Sequence, residues 1–455
     1  MKKQEIDMCN GPLLSKILVF AIPLMLSSSL QLFFNAADTV VVGRFAGSES
    51  LAAVGSTASL IFLLTNLFLG LSIGVSVVAA RFYGARNHKA LSDTVHTAIA
   101  VALVSGIALL FIGMFLARFF LTLMGTPDNV MDKAVLYIRI YFLGMPAITI
   151  YNFGSTLLRA VGDTKRPLYF LTASGLVNVV LNLTSVILLH MDVAGVALAT
   201  AISQCVAAAL VIRSLMRSEG ALKLNLRALR VDPEIFKQIV YLGVPAGMQG
   251  ILFSVSNTMI QSAINSFGAS AIAGNTAAAN LESFIIMCMN AFYQANLTFT
   301  SQNIGGGRYD RINRILATCL AIVVVVGASM GTFICAFGRP LLHIYTQDPE
   351  VVNFGMMRIM VLCSTYFLYG MTDTIVGSLR GFGYSLVPTA ITLIGMCAFR
   401  VVWVFTVFQW KHSLSALYVS FPASWATSLV AYVICLYIVR KKLPRGRVEV
   451  QPVEA

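Results

Sequence analysis

IPLMLSSSLQLFFNAADTVVV (22–42) and VPAGMQGILFSVSNTMIQSAI (244–264) share landmarks in one register. Each is an apolar run with a proline near its start, Pro23 and Pro245, and an asparagine at the same later place, Asn35 and Asn257. The register continues beyond them. GARN (84–87) is matched by GGRY (306–309) at the same offset. Arg159, Gly162 and Pro167 are matched by Arg380, Gly383 and Pro388, one position closer. A spacing that holds across several elements marks an internal duplication, which has to be found before a fold is assigned.

A bilayer is spanned by about 20 predominantly apolar residues in a helix. Runs between charge clusters give twelve such spans. Six lie near 14–42, 51–79, 94–117, 133–158, 167–190 and 194–216. Six more lie near 237–265, 276–301, 312–337, 352–378, 386–409 and 415–439. The fold class is therefore an all-α membrane protein, with 12 transmembrane helices in two pseudo-symmetric six-helix bundles. The expected organisation is an N-lobe over 1–216, a cytoplasmic linker over 217–236, a C-lobe over 237–440 and a cytoplasmic tail over 441–455. Six spans per copy is an even number, so the copies run parallel and are related by an axis along the membrane normal, as in transporters with a cavity between two bundles.

Composition agrees. Of 455 residues, 58% are hydrophobic and 11% charged, whereas soluble domains carry about 25% charge. Soluble enzyme folds are excluded. The net charge of +13 comes from basic residues in short loops. Of the 32 Lys and Arg, 24 fall in one alternating set of segments and five in the other. By the positive-inside bias both termini and the linker are cytoplasmic, in a multi-pass inner-membrane protein. The basic excess thus needs no nucleic acid. The first run, Leu13 to Val42, is too long for a signal-peptide core and is read as the first span. Seven of the eight cysteines lie inside apolar spans and none forms a CxxC pair, so they are read as small buried hydrophobes.

No GxxxxGK[ST] or HExxH motif occurs, and the five histidines are scattered over loops and span ends. No nucleophile or metal constellation supports an intramembrane enzyme, and no phosphate loop supports use of ATP. No cofactor is expected. Uphill transport would draw on an ion gradient.

Ionisable residues within spans are costly and mark functional sites by default. Gln31, Asn35 and Asp38 follow one another at i, i+4 and i+7 on span 1 and form one polar stripe. Pro23 in the same helix removes a backbone hydrogen bond and is a candidate bend point. Asn178 and Asn182 on span 5 are i, i+4 neighbours, and Asn182 and Thr200 on span 6 share the depth of Asp38. One carboxylate with amide and hydroxyl oxygens suits a proton or a hard cation such as Na⁺. Protonation would remove the cost of the buried charge. The alternative is an ordinary interhelical hydrogen-bond network.

Glu282 on span 8 reaches a similar depth in the other half. It is a candidate for substrate binding or a second proton site, together with Gln31, Asn35, Asn257 and Gln261. The alternative for Glu282 is an ion pair with Arg400 on span 11. Asp373 on span 10 reads as a gate or helix-end ion pair. Arg139 and Arg358 read as anchors that snorkel to the interface. The 19 methionines suit a repacking pocket, although at helical spacing they also suit lipid or core positions.

NAADTVVVGRFAGSESLAAVG (35–55), LLRAVGDTKRP (157–167), QNIGGGRYDR (302–311) and SLRGFGYSLVP (378–388) resemble the multidrug and toxic compound extrusion (MATE) family, and the resemblance runs through nearly all of 10–440. It implies a bacterial inner-membrane exporter that exchanges H⁺ or Na⁺ for cationic, amphipathic organic compounds, acting as a monomer in contact with membrane lipid. The family's amino-terminal cation site would fall on Asp38, Asn178, Asn182 and Thr200, with Pro23 in the helix that bends. Many relatives carry an acid where this chain has Asn182, which tilts the expectation toward H⁺. Relatives with an acid in span 7 have no match between Pro245 and Phe267. Two other readings remain: a flippase for lipid-linked saccharides of the same superfamily, which should show more cationic residues in its cavity, and a passive channel.

Overall fold

The structure is a computed structural model that describes residues 6–444 and 446–448. Lys2, Lys3 and Arg445, which count toward the charge asymmetry, and much of the tail over 441–455 lie outside the described residues. The first half of the sequence forms α1 (Leu13–Val41), α2 (Ser48–Gly84), α3 (His88–Leu123), α4 (Asp128–Leu143), α5 (Met145–Ala160), α6 (Lys165–Leu183) and α7 (Asp192–Met216). The second forms α8 (Pro233–Asn265), α9 (Ala269–Gly305), α10 (Tyr309–His343), α11 (Pro349–Leu362), α12 (Tyr366–Gly381), α13 (Leu386–Thr392), α14 (Phe399–Phe405), α15 (Val407–Trp410) and α16 (Leu414–Lys442). Between them the linker carries two short 3₁₀ turns, Gly220–Leu222 and Leu226–Ala228.

Among the described residues, ten helical stretches are long and apolar enough to cross a membrane. The pair α4 and α5, bent by 47° at Gly144, makes an eleventh. The twelfth rod is α9, 37 residues long and more polar than the rest. The chain is a multi-pass membrane protein.

Among the described residues, three of the expected rods are divided between helices, and α1 and α6 each run into a π turn, Val42–Ala46 and Thr184–Leu188. α4 and α5 part at Gly144, just before Pro146. At the corresponding point of the second half, the 3₁₀ turn Cys363–Thr365 separates α11 from α12. A π turn, Leu393–Ala398, divides α13 from α14. Single π turns shift the azimuth of the residues downstream and concentrate at functional sites.

The duplication survives into local geometry. Gly162 and Gly383, at matched positions in the two corresponding loops, both adopt φ +94°. An L side chain there would meet its own carbonyl, so only glycine fits freely. Gly106 on α3 lets Pro146 approach, and its counterpart Gly327 on α10 lets Phe367, the counterpart of Pro146, approach. A Cβ on these glycines would stand 2.4 Å and 3.0 Å from the Cα atoms of Pro146 and Phe367. Small residues substitute for a hydrophobic driving force between helices in lipid.

The chain divides into two compact units. One is built on Leu26–Gly247, the other on Met8–Met25 and Met248–Val450. α1 and α8 are each shared between the two, and each carries its proline two residues before the division, Pro23 before Met25 and Pro245 before Gly247. In the first unit, Gly243 and Gly247 of α8 pack backbone to backbone on α2 at Leu67, Gly70 and Leu71. In the second, Phe20 of α1 meets Phe299 of α9 edge to face at 5.8 Å, and Asn303 Nδ2 donates to the Met8 carbonyl at 3.1 Å.

Candidate functional site

The first unit brings the α1, α6 and α7 polar residues together. Gly175 on α6 has no side chain to obstruct the Phe34 ring of α1. Further along the same two helices, Asp38 and Asn182 meet. Asn182 Nδ2 donates to Asp38 Oδ1 and, at 3.2 Å, to Asn178 Oδ1. Asn178 Nδ2 donates to Thr200 Oγ1 at 3.4 Å, and Thr200 gives its own hydroxyl proton to the Val196 carbonyl at 3.0 Å. Asn182 is fully buried and Asn178 nearly so.

One atom in this chain of hydrogen bonds is left over. Asn182 Oδ1 is buried and accepts no hydrogen bond from any described residue. Turning the amide over would point that oxygen at the Asp38 carboxylate, so the orientation is fixed by charge. An orphaned acceptor beside a carboxylate, with a hydroxyl and a second amide behind it, is an oxygen-only donor set. Oxygens of this kind are chemically suited to a hard cation, or to a donor such as a protonated carboxyl. A buried acceptor left unmet costs about 1–3 kcal/mol.

Tyr137 and Tyr141 of α4, stacked with ring centroids 6.0 Å apart, lie within reach of the Asp38 charge. Sequence reasoning did not single them out; the i, i+4 tyrosines of YIRIY (137–141) were the available signal. Gln31 and Asn35 do not join the cluster. Both are exposed and their side chains make no hydrogen bond among the described residues. Pro23 is buried inside α1, which continues as helix from Leu13 to Val41.

In the second unit, Glu282 does not pair with Arg400, contrary to the sequence expectation. It pairs with Arg358, which donates from Nε at 2.9 Å and from Nη2 at 2.7 Å. Tyr366 Oη adds a third hydrogen bond at 2.9 Å. Arg358 therefore does not snorkel. Its Nη1 reaches Asn275 Oδ1 at 2.6 Å, and Asn275 is held by Gln261 and Tyr418. The physical reason is azimuth. Asn275 and Glu282 stand at i and i+7 on α9, so one face presents both an amide and a carboxylate to the α11 guanidinium. The network ties α8, α9, α11, α12 and α16 together. Removing one partner of such a buried pair costs about 3–5 kcal/mol. Gln261 belongs to this clamp; Asn257 is exposed and does not.

Asp373 and Arg400 form no ion pair with each other. Asp373 is half-buried on α12 and makes no side-chain hydrogen bond or ion pair among the described residues. Arg400 is 3% exposed and bonds once, from Nε to Ser424 Oγ at 2.9 Å. Its guanidinium carbon stands 4.3 Å from the Phe421 ring centroid and 6.0 Å from that of Trp425. Cation–π contact supplies about 0.5–2 kcal/mol, against a desolvation cost of several kcal/mol for a buried ion. Arg380, by contrast, is bonded to Tyr293 Oη and Gln249 Oε1, both at 2.7 Å.

No group of three His, Cys, Asp or Glu able to hold a metal occurs among the described residues. The family model MatE matches the chain twice, over 23–184 and 245–406. The chain is 29% identical over 422 residues to the "Probable multidrug resistance protein YoeA" of Bacillus subtilis, covering 90% of this chain and 91% of the relative. It is 21% identical over 431 residues to the "Multidrug export protein MepA" of Staphylococcus saprophyticus, covering 94% and 95%. Among solved structures, an outward-facing multidrug resistance MATE family transporter of the MOP superfamily superposes with a TM-score of 0.88 at 21% identity, covering 97% of this chain and 98% of that one.

Proposed function

The chain belongs to the MatE family of multidrug transporters, and on that premise we propose that it is a secondary antiporter that exports amphipathic organic cations in exchange for H⁺ or Na⁺ bound at Asp38. The family membership carries drug efflux; relatives that span nine-tenths of the chain are named for it. The orphaned Asn182 Oδ1 beside the Asp38 carboxylate supports the coupling role. A charged carboxylate without its ion leaves a half-buried anion and, among the described residues, an unpaired acceptor in one cluster. A proton or Na⁺ relieves both at once. The ion-bound and ion-free states therefore prefer different surroundings, which is what coupling requires.

The mechanism rests on that difference. α1 carries Asp38 in the first unit and Pro23 at its other end, in the second. The missing backbone hydrogen bond at Pro23 makes this the least costly place in α1 for a bend. Ion binding at Asp38 draws α1 toward α6 and α7, and release lets it swing away. Pro245 gives α8 the same freedom. Alternating access is the motion of one unit against the other, with the cytoplasm on the side of the linker and both termini, as the Lys and Arg distribution indicates.

One coupling ion exchanged for one monovalent organic cation moves no net charge. The membrane potential then does no work, and a tenfold ion gradient, about 1.4 kcal/mol, supports a tenfold substrate gradient. Ethidium efflux from energised cells tests the reading. Wild type lowers cell-associated dye; Asp38→Asn, which keeps shape and loses the titrating charge, does not, at equal membrane expression. Efflux by the variant at the wild-type rate rejects Asp38 as the coupling site.

A further inference from the structure

Arg400 is a buried cation that the coupling mechanism does not use. It lies in the second unit on α14, just after the π turn Leu393–Ala398. Nε is committed to Ser424, whose own hydroxyl donates to the Phe421 carbonyl. Nη1 and Nη2 donate to nothing among the described residues, yet neither is sealed completely. No carboxylate forms a salt bridge with the guanidinium among the described residues. The neighbouring cation, Arg358, is already neutralised by Glu282. Arg400 thus contributes a local charge with no counter-ion, in a part of the chain that crosses the membrane.

The surroundings are aromatic. Phe421 covers one face of the guanidinium. Trp425 lies 5.2 Å from Tyr366 and 5.7 Å from Tyr369, centroid to centroid. Tyr366 spends its hydroxyl on Glu282. Tyr369, packed beside Trp425, makes no side-chain hydrogen bond among the described residues. Asp373 stands one turn beyond Tyr369 on α12 and forms no ion pair with Arg400. The open terminal nitrogens of a guanidinium form a planar fork that matches a carboxylate. The phenol is a further donor, and the rings offer a stacking surface.

We propose that Arg400, with the Tyr369 hydroxyl and the Phe421 and Trp425 rings, is an anion subsite that takes the carboxylate of an aromatic, amphipathic substrate. The proposal deepens the exporter reading and rests on it. The substrate range then includes aromatic carboxylates and zwitterions besides cations, with the acid held in the second unit and the coupling ion in the first.

Trp425 reports on the site directly. The chain has three tryptophans, so Trp403→Phe with Trp410→Phe leaves Trp425 alone. The full chain in this background, in detergent micelles, is titrated with fluorescein, an aromatic carboxylate, and with ethidium, an aromatic cation, following Trp425 emission. Fluorescein is expected to bind and quench. Arg400→Met should weaken fluorescein at least tenfold and change ethidium less than twofold, with Arg400→Lys, which keeps the charge and loses the fork, in between. Wild-type fluorescein affinity in Arg400→Met, equal loss of both dyes, or no fluorescein binding to the unaltered site overturns the proposal. Should Arg400→Met not purify as a single species, equal fluorescein affinity in Arg400→Lys and the unaltered protein overturns it instead. Failure of fluorescein alone rejects the subsite; failure of ethidium alone counts against the exported-cation reading.

Discussion

Asp38 on α1 and Asn182 on α6 are joined by a hydrogen bond that leaves the Asn182 oxygen buried and, among the described residues, without a partner. The carboxylate dictates which way the amide faces, and the amide then displays an unmet acceptor next to the carboxylate. On the proposed coupling role, a proton or a sodium ion would satisfy both.

Asn182→Asp puts a second carboxylate into this oxygen set. Two carboxylates so close attract a hard cation more strongly than one does. Sodium-driven dye efflux should rise at least severalfold relative to proton-driven efflux in the variant. The measurement is efflux from vesicles with a sodium gradient and no pH gradient; an unchanged ratio removes the donor-set argument.

Glu282→Gln breaks the bidentate pair and leaves Arg358 charged among Asn275, Tyr366 and Tyr418. The cost is about 3–5 kcal/mol, read as a lowered thermal midpoint in detergent. Glu282→Leu with Arg358→Met, which removes both charges, should recover most of that loss. A double variant no more stable than Glu282→Gln contradicts the clamp.

The matched loops offer a test of the duplication's geometry. Gly162→Ala and Gly383→Ala each place an L side chain at φ +94°. Each should destabilise by about 1–2 kcal/mol, by denaturation monitored through helical circular dichroism. A Cβ on Gly162 would also approach the Ile6 backbone to 2.7 Å, which adds to its cost.

Pro23→Ala and Pro245→Ala restore a backbone hydrogen bond in α1 and α8. Each should slow efflux by a factor of about 3–10, equivalent to roughly 0.7–1.4 kcal/mol on the barrier, with dye affinity unchanged. If affinity falls and turnover does not, the prolines shape the binding site and not the motion.

Much of the fold was legible because membrane helices announce themselves by length, and a duplicated sequence repeats its prolines and glycines in register. The Asp38 cluster was legible for a related reason: i, i+4 spacing and the constant rise of a helix place side chains by depth and face. Depth alone could not choose between Arg358 and Arg400 as the partner of Glu282. That choice depends on the azimuth of three helices, which the break at Cys363–Thr365 and the π turn at Leu393–Ala398 alter without a proline to signal either. Arg358 reads as an anchor because a long side chain can reach an interface. Nothing in the spacing showed that Glu282, Asn275 and Tyr366 would offer it a better end inside. The i, i+4 spacing of Tyr137 and Tyr141 was a weak signal, since aromatic residues on a membrane helix are ordinary.

The decisive measurement is ethidium uptake into inverted membrane vesicles, with an imposed proton gradient and with an imposed sodium gradient in separate runs. One of the two gradients should drive uptake in the wild type, collapsing the membrane potential should leave the uptake of this monovalent cation unchanged, and Asp38→Asn should abolish it. Uptake by Asp38→Asn at the wild-type rate under the driving gradient contradicts coupling at Asp38.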